Sequence, residues 1–308
     1  LNLVLVIKSK QFHSISFLML KLGVLGLLIY YLNSRLSDLP NGISFTSTIH
    51  YDALVFLIFL MPLNLFIEWQ KWNVILRDET VDQKQKVHSF LSGIVSGIIT
   101  PAYAGNFIGR MLYFPKSSRK KIIVNTIASN GAQFIMSISM GLVAFQMIYS
   151  SSIHLFYHLL LMLANLSLYL LYFYGDSIIE KLPFRFFKQI SGVVVSRDLR
   201  LTQLCLSMFR YVVFVAQFVL ALVVFDVPFN PDFIIWVMLM FGAITISPSL
   251  FMGKLIVRET VAITILTLIG IAVPSIILAA VSTWLLNQML PALIATLLVK
   301  KRTQHAWV

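Results

Sequence analysis

The chain has 308 residues, of which 58% are hydrophobic and only 12% charged, with a mean hydropathy of +0.87 and a net charge of +12. A water-soluble domain carries about twice that share of charge, so a soluble globular fold is excluded. The ~10-residue alternating segments of a transmembrane β-barrel are also missing. Instead the apolar residues arrive in blocks of roughly 15–25, the helix length that crosses a hydrocarbon core about 30 Å thick. The composition predicts an all-α polytopic membrane protein. Its basic excess reads as positive-inside bias and attraction to anionic lipid, not as nucleic-acid binding, because no basic, aromatic-interleaved soluble segment accompanies it.

In chain order, Leu1–Ile7 is apolar but runs into Lys8 and Lys10, so it lacks the pattern of a cleavable signal and is expected to stay attached. The candidate spans begin with Ile15–Leu32 and Tyr51–Trp69. Phe90–Phe114 follows, broken by Pro101, and Ile122–Tyr149 is the longest. Then come Ile153–Tyr174, Leu204–Phe225, the short Phe233–Ser247 stopped by Pro248, Val261–Val281 and Leu285–Val299. The segment Tyr174–Thr202 is polar, with Phe184, Phe186 and Phe187 among its bases, and reads as an interfacial amphipathic helix or a linker. No soluble domain boundary is visible. The expectation is a single integral membrane domain over 1–308, with halves at about 15–149 and 153–299.

Basic residues cluster at Lys84/Lys86, at Lys116/Arg119/Lys120/Lys121, at Lys181/Arg185/Lys188/Arg197/Arg200 and at Lys300/Lys301/Arg302. Ser150–Ser152 carries no charge, and Asp226–Asp232 carries two acids and no base. The positive-inside rule places the basic loops and the C-terminus on the cytoplasmic side. Both flanks of Phe90–Phe114 are basic, so this segment should enter and leave on one side. Its Gly93, Gly97, Pro101, Gly105 and Gly109 suit a broken, re-entrant hairpin, which membranes tolerate only where protein buries it or it lines a wet cavity. With two spans following it, a re-entrant Pro248 segment would put the basic C-terminus outside; the charge rule therefore favours a spanning one.

The two interrupted segments look alike. Thr100-Pro101-Ala102-Tyr103-Ala104-Gly105-Asn106-Phe107-Ile108-Gly109-Arg110 compares with Ser247-Pro248, then Gly253-Lys254-Leu255-Ile256-Val257-Arg258-Glu259. The prolines and the arginines keep the same separation to within one residue. Approached from opposite sides, such segments form an inverted repeat whose broken helices mark a midplane site. Arginine within a membrane is expensive, so Arg110 and Arg258 are the leading binding candidates, and backbone N–H groups freed after Pro101 and Pro248 would add to an anion pocket suited to phosphate. Arg110 lies close enough to Lys116 and Arg119 to snorkel instead. Glu259 cannot pair well with its neighbour Arg258, because adjacent residues point about 100° apart on a helix. A polar stripe on the longest span (Asn125, Ser129, Gln133, with Asn130, Ser137 and Ser139 nearby) either lines a route or bonds neighbouring helices.

Other chemistry is weaker. The single Cys205 excludes an internal disulfide or a cysteine metal cluster. His154 and His158 are four apart but have no accompanying acid, so no metal is assigned. Glu68 and Lys71, flanked by Trp69 and Trp72, read as interfacial anchors. No nucleotide-binding loop or catalytic grouping is visible, and no cofactor is implied.

Pro101-x-x-x-Gly105 with Arg110, Pro248 with Gly253, Val257, Arg258 and Glu259, and Asn64 through Trp69 and Trp72 together resemble the transmembrane, flippase-like region of the lysylphosphatidylglycerol synthase family. The likeness runs from about Tyr51 to Val299 and is to the stand-alone form, without the soluble aminoacyltransferase domain. Tyr103 stands where the family commonly has arginine, and Asn106 where it commonly has an acid, so the family's headgroup preference is not carried over. The resemblance implies translocation of a phosphate-bearing lipid, a membrane phospholipid or a polyprenyl-phosphate. Arg110, Arg258, Glu259, Pro101, Tyr103, Gly105, Asn106, Pro248, Gly253, Asn130 and Gln133 are then the expected substrate contacts. Two alternatives stand beside it: a membrane-embedded enzyme acting on a lipid phosphate, and a non-transporting membrane partner of a glycosyltransferase. The sequence assigns no oligomeric state.

Overall fold

The computed structural model describes residues 50–100, 104–179, 193–247 and 255–299, all within the compact unit Thr48–Val308. The expected first span, Ile15–Leu32, lies outside the described residues, as do Pro101, Tyr103, Pro248 and Gly253 and most of the polar stretch after Tyr174. The described residues form helices and connecting turns, with no strand among them. Among the described residues, five apolar stretches are long enough to cross a membrane: Tyr51–Ile75, Lys116–Ile148, Leu155–Gly175, Arg197–Val224 and Val273–Leu298. The molecule is a polytopic α-helical membrane protein.

The helices are α1 (Tyr51–Ile75), α2 (Gln83–Ile99), α3 (Ala104–Met111), α4 (Lys116–Ile148) and α5 (Leu155–Ile179), then α6 (Arg197–Val224), α7 (Asp232–Ile246), α8 (Leu255–Leu266), α9 (Val273–Trp284) and α10 (Leu290–Leu298). A π-helical turn, Leu285–Met289, joins α9 to α10 in one span. At 33 residues, α4 is about 50 Å long. It exceeds a ~30 Å hydrocarbon core, so Lys116 and Arg119–Lys121 occupy its first turns rather than a loop. Helix α6 begins where local chemistry dictates: the Ser196 hydroxyl accepts from Leu199 N at 3.3 Å, and Asp198 sits in the first turn against the positive helix end.

Helices α2 and α3 fold back on one another. Gln85 near the start of α2 donates to the carbonyl of Tyr113 just beyond α3, and the His88 and Tyr113 rings lie 6.4 Å apart. Both ends of the segment therefore meet at one face of the bundle, as a re-entrant hairpin requires. At its bend Gly105 N donates to Thr100 Oγ1 (2.6 Å), so the hydroxyl before Pro101 caps α3. Glycine sets the packing distance. A Cβ on Gly105 would stand 2.2 Å from Ser96 O, and one on Gly109 would stand 2.0 Å from Ser96 Oγ.

The second interrupted segment also returns. Helices α7 and α8 have 15 and 12 residues, about 22 and 18 Å, each short of a ~30 Å core. Ser275 Oγ, after α8, donates to Phe225 O, before α7, at 3.1 Å. Both ends of this hairpin thus lie at one face, where His50 at the start of α1 also approaches Asp226 (3.9 Å). This corrects two expectations. Val261–Val281 is not a span: it is interrupted by Gly270, whose φ of +78° ends a 3₁₀ turn in the left-handed region. With one span following it, a re-entrant Pro248 segment no longer conflicts with the charge rule. The order is span, hairpin, span in α1–α4 and again in α6–α10, with the second set running the opposite way and α5 connecting them.

Helix α7 crosses α4 at Gly141 and Gly242, where a Cβ on either would lie 2.7 Å from the other's Cα. The largest buried apolar cluster, including Leu57, Phe218, Leu222, Met240, Leu266 and Ile276, joins α1, α6, α7, α8 and α9.

Two outcomes are expected. Gly109→Leu forces α2 and α3 apart and lowers stability in detergent by about 1–3 kcal/mol or prevents folding, measured by thermal or denaturant unfolding. In a Cys205→Ser background, cysteines at Asn230 and Leu268 react with an impermeant thiol reagent from one side of the membrane, and a cysteine at Lys84 reacts from the other.

Candidate functional site

Polar residues fall on single stripes of three spans. Asn64, Glu68, Lys71 and Trp72 follow helical spacing on α1, and Gln203, Ser207, Arg210, Phe214 and Gln217 do so on α6. Ser129, Gln133 and Ser137 continue the pattern on α4. Buried against one another, these stripes must satisfy their own polar groups, since lipid supplies no partners. At the level of Lys71 they do so by bonding directly to one another. Lys71 Nζ donates to Ser207 Oγ (2.9 Å) and to Ser129 O (3.3 Å). Gln203 completes the set, accepting from Ser129 Oγ (2.7 Å) and donating to Lys71 O (2.9 Å).

One turn away the stripes diverge around a cavity of about 410 Å³. Its charged feature is Glu68, whose two carboxylate oxygens each hold a guanidinium. Oε1 accepts from Arg110 Nη2 at 2.9 Å, and Oε2 accepts from Arg210 Nη1 at 2.8 Å. Arg110 is 4% exposed and reaches Glu68 from the re-entrant α3, with its Cζ 4.7 Å from the Trp72 ring centroid and 5.4 Å from that of Phe90. Gly93 makes room for it: a Cβ there would lie 2.5 Å from Arg110 Cγ. Arg110 therefore points into the bundle and does not snorkel. Two guanidiniums and one carboxylate leave one positive charge uncompensated on the cavity wall.

From Arg210 the bonding continues across the bundle. Arg210 Nε donates to Asn64 Oδ1 (2.9 Å), and Asn64 Nδ2 donates to Asn287 Oδ1 (2.5 Å). Asn287 Nδ2 in turn reaches Gln217 Oε1 (2.9 Å) and Thr283 O (3.0 Å). Asn287 and Gln288 enter the cavity wall from the π turn, a local widening that recurs at functional sites.

Of the expected substrate contacts, Asn106 and Arg110 of α3 and Asn130 and Gln133 of α4 line this one cavity. Gly105 supports it from beneath, in the hairpin contact. The α4 stripe divides: Ser129 bonds across to α6, while Asn130, Gln133 and Ser137 face the cavity. Arg258 and Glu259 are buried on α8 but do not line it. Arg258 Nη2 donates to Thr283 Oγ1, and its Cζ lies 6.0 Å from the Phe218 ring. The expected meeting of Arg110 with Arg258 is replaced by one of Arg110 with Arg210. Through Thr283 and Asn287, Arg258 is bonded to the cavity wall.

Three residues escaped the sequence reading. Arg210 lies inside the span Leu204–Phe225 and is not among the expected contacts, although an arginine within a span is itself the signal of a buried site. Glu68 and Lys71, expected at the interface beside their tryptophans, are instead interior groups. No family model matches the chain, and neither a curated protein nor a solved structure is significantly similar to it.

Removing the shared carboxylate strands one buried cation, Arg110, and one part-buried cation, Arg210. Glu68→Ala should cost about 3–5 kcal/mol of stability, measured by unfolding in mixed micelles. Combining it with Arg110→Met and Arg210→Met should recover much of the loss.

Proposed function

We propose that the protein translocates a phosphate-bearing lipid between membrane leaflets, with the Arg110–Glu68–Arg210 cavity as its headgroup site. The observation that carries this reading is the location of that cavity. Its walls come from the re-entrant α2–α3 hairpin, from α7 of the second hairpin and from the spans between them. A chamber bordered by short hairpins, with a net-positive arginine cluster and amides set among apolar residues, is what an anionic headgroup needs to cross a hydrocarbon layer, because Arg110 and Arg210 can exchange their bonds to Glu68 for bonds to phosphate. The carboxylate holds both guanidiniums in place beforehand, so little side-chain ordering remains to be done on binding.

The opposed span–hairpin–span sets support an inverted repeat, the arrangement that allows one site to open to either side by rocking of two halves. The basic ends of α2, α4 and α6 are cytoplasmic on this reading, and the membrane is the bacterial inner membrane. It agrees with the resemblance to the flippase-like region of the lysylphosphatidylglycerol synthase family, with one change of detail. Arg210, rather than Arg258, is the second phosphate ligand, and Arg258 holds α8 against α9 behind the site.

Purified protein in liposomes should accelerate leaflet exchange of fluorescent phosphate-bearing lipids over protein-free liposomes. Arg210→Ala should lower that rate at least tenfold, as expected for loss of a charge-assisted phosphate contact worth about 1.5–3 kcal/mol. Full-rate exchange by a folded Arg110→Ala/Arg210→Ala variant would refute the site. No exchange of any phosphate-bearing lipid by folded protein would refute translocation and favour a role in docking a glycosyltransferase.

A further inference from the structure

The bonded layer at Lys71 takes no part in holding phosphate, yet it closes the bundle beside the headgroup site. Lys71 follows Glu68 by one turn on α1, Ser207 precedes Arg210 by one turn on α6, and Ser129 precedes Gln133 by one turn on α4. On all three helices the layer is therefore about 5 Å from the cavity wall. Its bonds run between the two span–hairpin–span sets. Lys71 Nζ of the first set donates to Ser207 Oγ of the second (2.9 Å), and Gln203 of the second bonds both Ser129 Oγ (2.7 Å) and Lys71 O (2.9 Å) of the first. Lys71 is one turn from Ile75, where α1 ends at the basic face of the bundle.

Lys71 is 2% exposed, and lysines buried to that degree are ordinarily paired with an acid. Among the described residues no carboxylate pairs with this one. Glu68 gives both its oxygens to Arg110 and Arg210, and those two cations, one from α3 and one from α6, are the other charges that face the amine. Helix α4 offers it the neutral carbonyl of Ser129 (3.3 Å). What Lys71 has in place of an acid is a hydroxyl. Ser207 Oγ accepts from an ammonium and donates to the lone pair of an amine, and the Ser129 carbonyl accepts from either form. The pocket thus fits Lys71 with or without the extra proton, where a carboxylate would have fixed the charged form. Charge links it to the cavity: a proton on Lys71 adds a second uncompensated positive charge behind Arg110 and Arg210, which favours an anion in the chamber. Linkage is reciprocal, so a bound phosphate favours the proton by the same factor.

We infer that Lys71 binds one proton with each phosphate-bearing lipid and releases it when the lipid leaves, so that translocation is a proton–lipid symport. The inference rests on the translocation reading and adds its energy source. No electrons move: the Nζ lone pair takes a proton from water on the loading side, and the ammonium returns it to water on the other. The layer is the seam between the two sets, so a movement that opens the chamber towards the basic face parts the Lys71 bonds and wets the amine.

The test uses the full chain in liposomes containing fluorescent phosphatidylglycerol, with a one-unit pH difference across the membrane and the electrical potential held at zero by potassium and valinomycin. One proton per singly charged lipid makes the movement electroneutral, so lipid should gather about tenfold in the leaflet facing the alkaline side, matching the proton ratio. In Lys71→Gln, which keeps the donated bonds but takes up no proton, the enrichment should fall to that of protein-free liposomes. Accelerated exchange by the unaltered chain that leaves the two leaflets equal overturns the symport and leaves translocation standing. Enrichment that persists in folded Lys71→Gln overturns Lys71 as the proton site. No acceleration of exchange refutes translocation and the symport with it. If Lys71→Gln does not yield monodisperse protein, a pH dye trapped inside liposomes of the unaltered chain decides. Acidification of the interior as lipid added outside moves inward, without an imposed gradient, supports the symport, and an unchanged dye signal during that movement overturns it.

Discussion

The Glu68 carboxylate is the constraint on which the rest of the arrangement depends. It is shared between an arginine on a re-entrant hairpin and an arginine on a span, so it ties a segment that does not cross the membrane to one that does. Placing either arginine alone at this depth would be costly, and an unpaired glutamate would be no better. Together they form a charge cluster whose geometry is fixed at both carboxylate oxygens. The glycines of α2 and α3 serve this same contact, because Gly93 leaves room for the Arg110 side chain while Gly105 and Gly109 bring α3 close enough to deliver it.

The cluster also explains why the neighbouring polar residues are bonded in sequence. Asn64 accepts from Arg210 and donates to Asn287, and Asn287 is anchored to Gln217 and to the carbonyl of Thr283. Thr283 Oγ1 accepts in turn from Arg258 on α8. A displacement of Arg210 by a ligand would thus be felt, bond by bond, at the second hairpin. The π turn is the natural place for that movement to be absorbed. Its wider backbone already departs from regular helix where Asn287 enters the wall, so a local return to α geometry would withdraw Asn287 without unwinding the span.

Much of the architecture was legible because long apolar blocks and basic loops are strong, local signals. Arg110, Asn106, Asn130 and Gln133 could be placed at one site from a broken segment and a polar stripe. The errors came where a residue's meaning depends on what it faces. Glu68 and Lys71 have the tryptophan neighbours of an interfacial anchor, and only the packing of α1 on α6 makes them interior. Val261–Val281 has the length and hydropathy of a span, yet Gly270 within it supplies a left-handed turn that ends α8 and returns the chain. Treating that glycine as a break would have given the single final span and removed the topological conflict over Pro248.

The missed Arg210 bears on how the two halves relate. Sequence likeness between the interrupted segments points to Arg110 and Arg258 as equivalent, and equivalence suggests that both touch the ligand. In the structure each is buried against its own partner. Arg110 meets Glu68 and faces the cavity, whereas Arg258 meets Thr283 and lies over Phe218. Similar segments in the two halves thus do different work. One arginine presents charge to the chamber, and the other fastens the opposite hairpin to the span that carries the π turn. On the translocation reading proposed above, an asymmetric site of this kind would hold a single headgroup at one end of the bonded chain and leave the other end to respond.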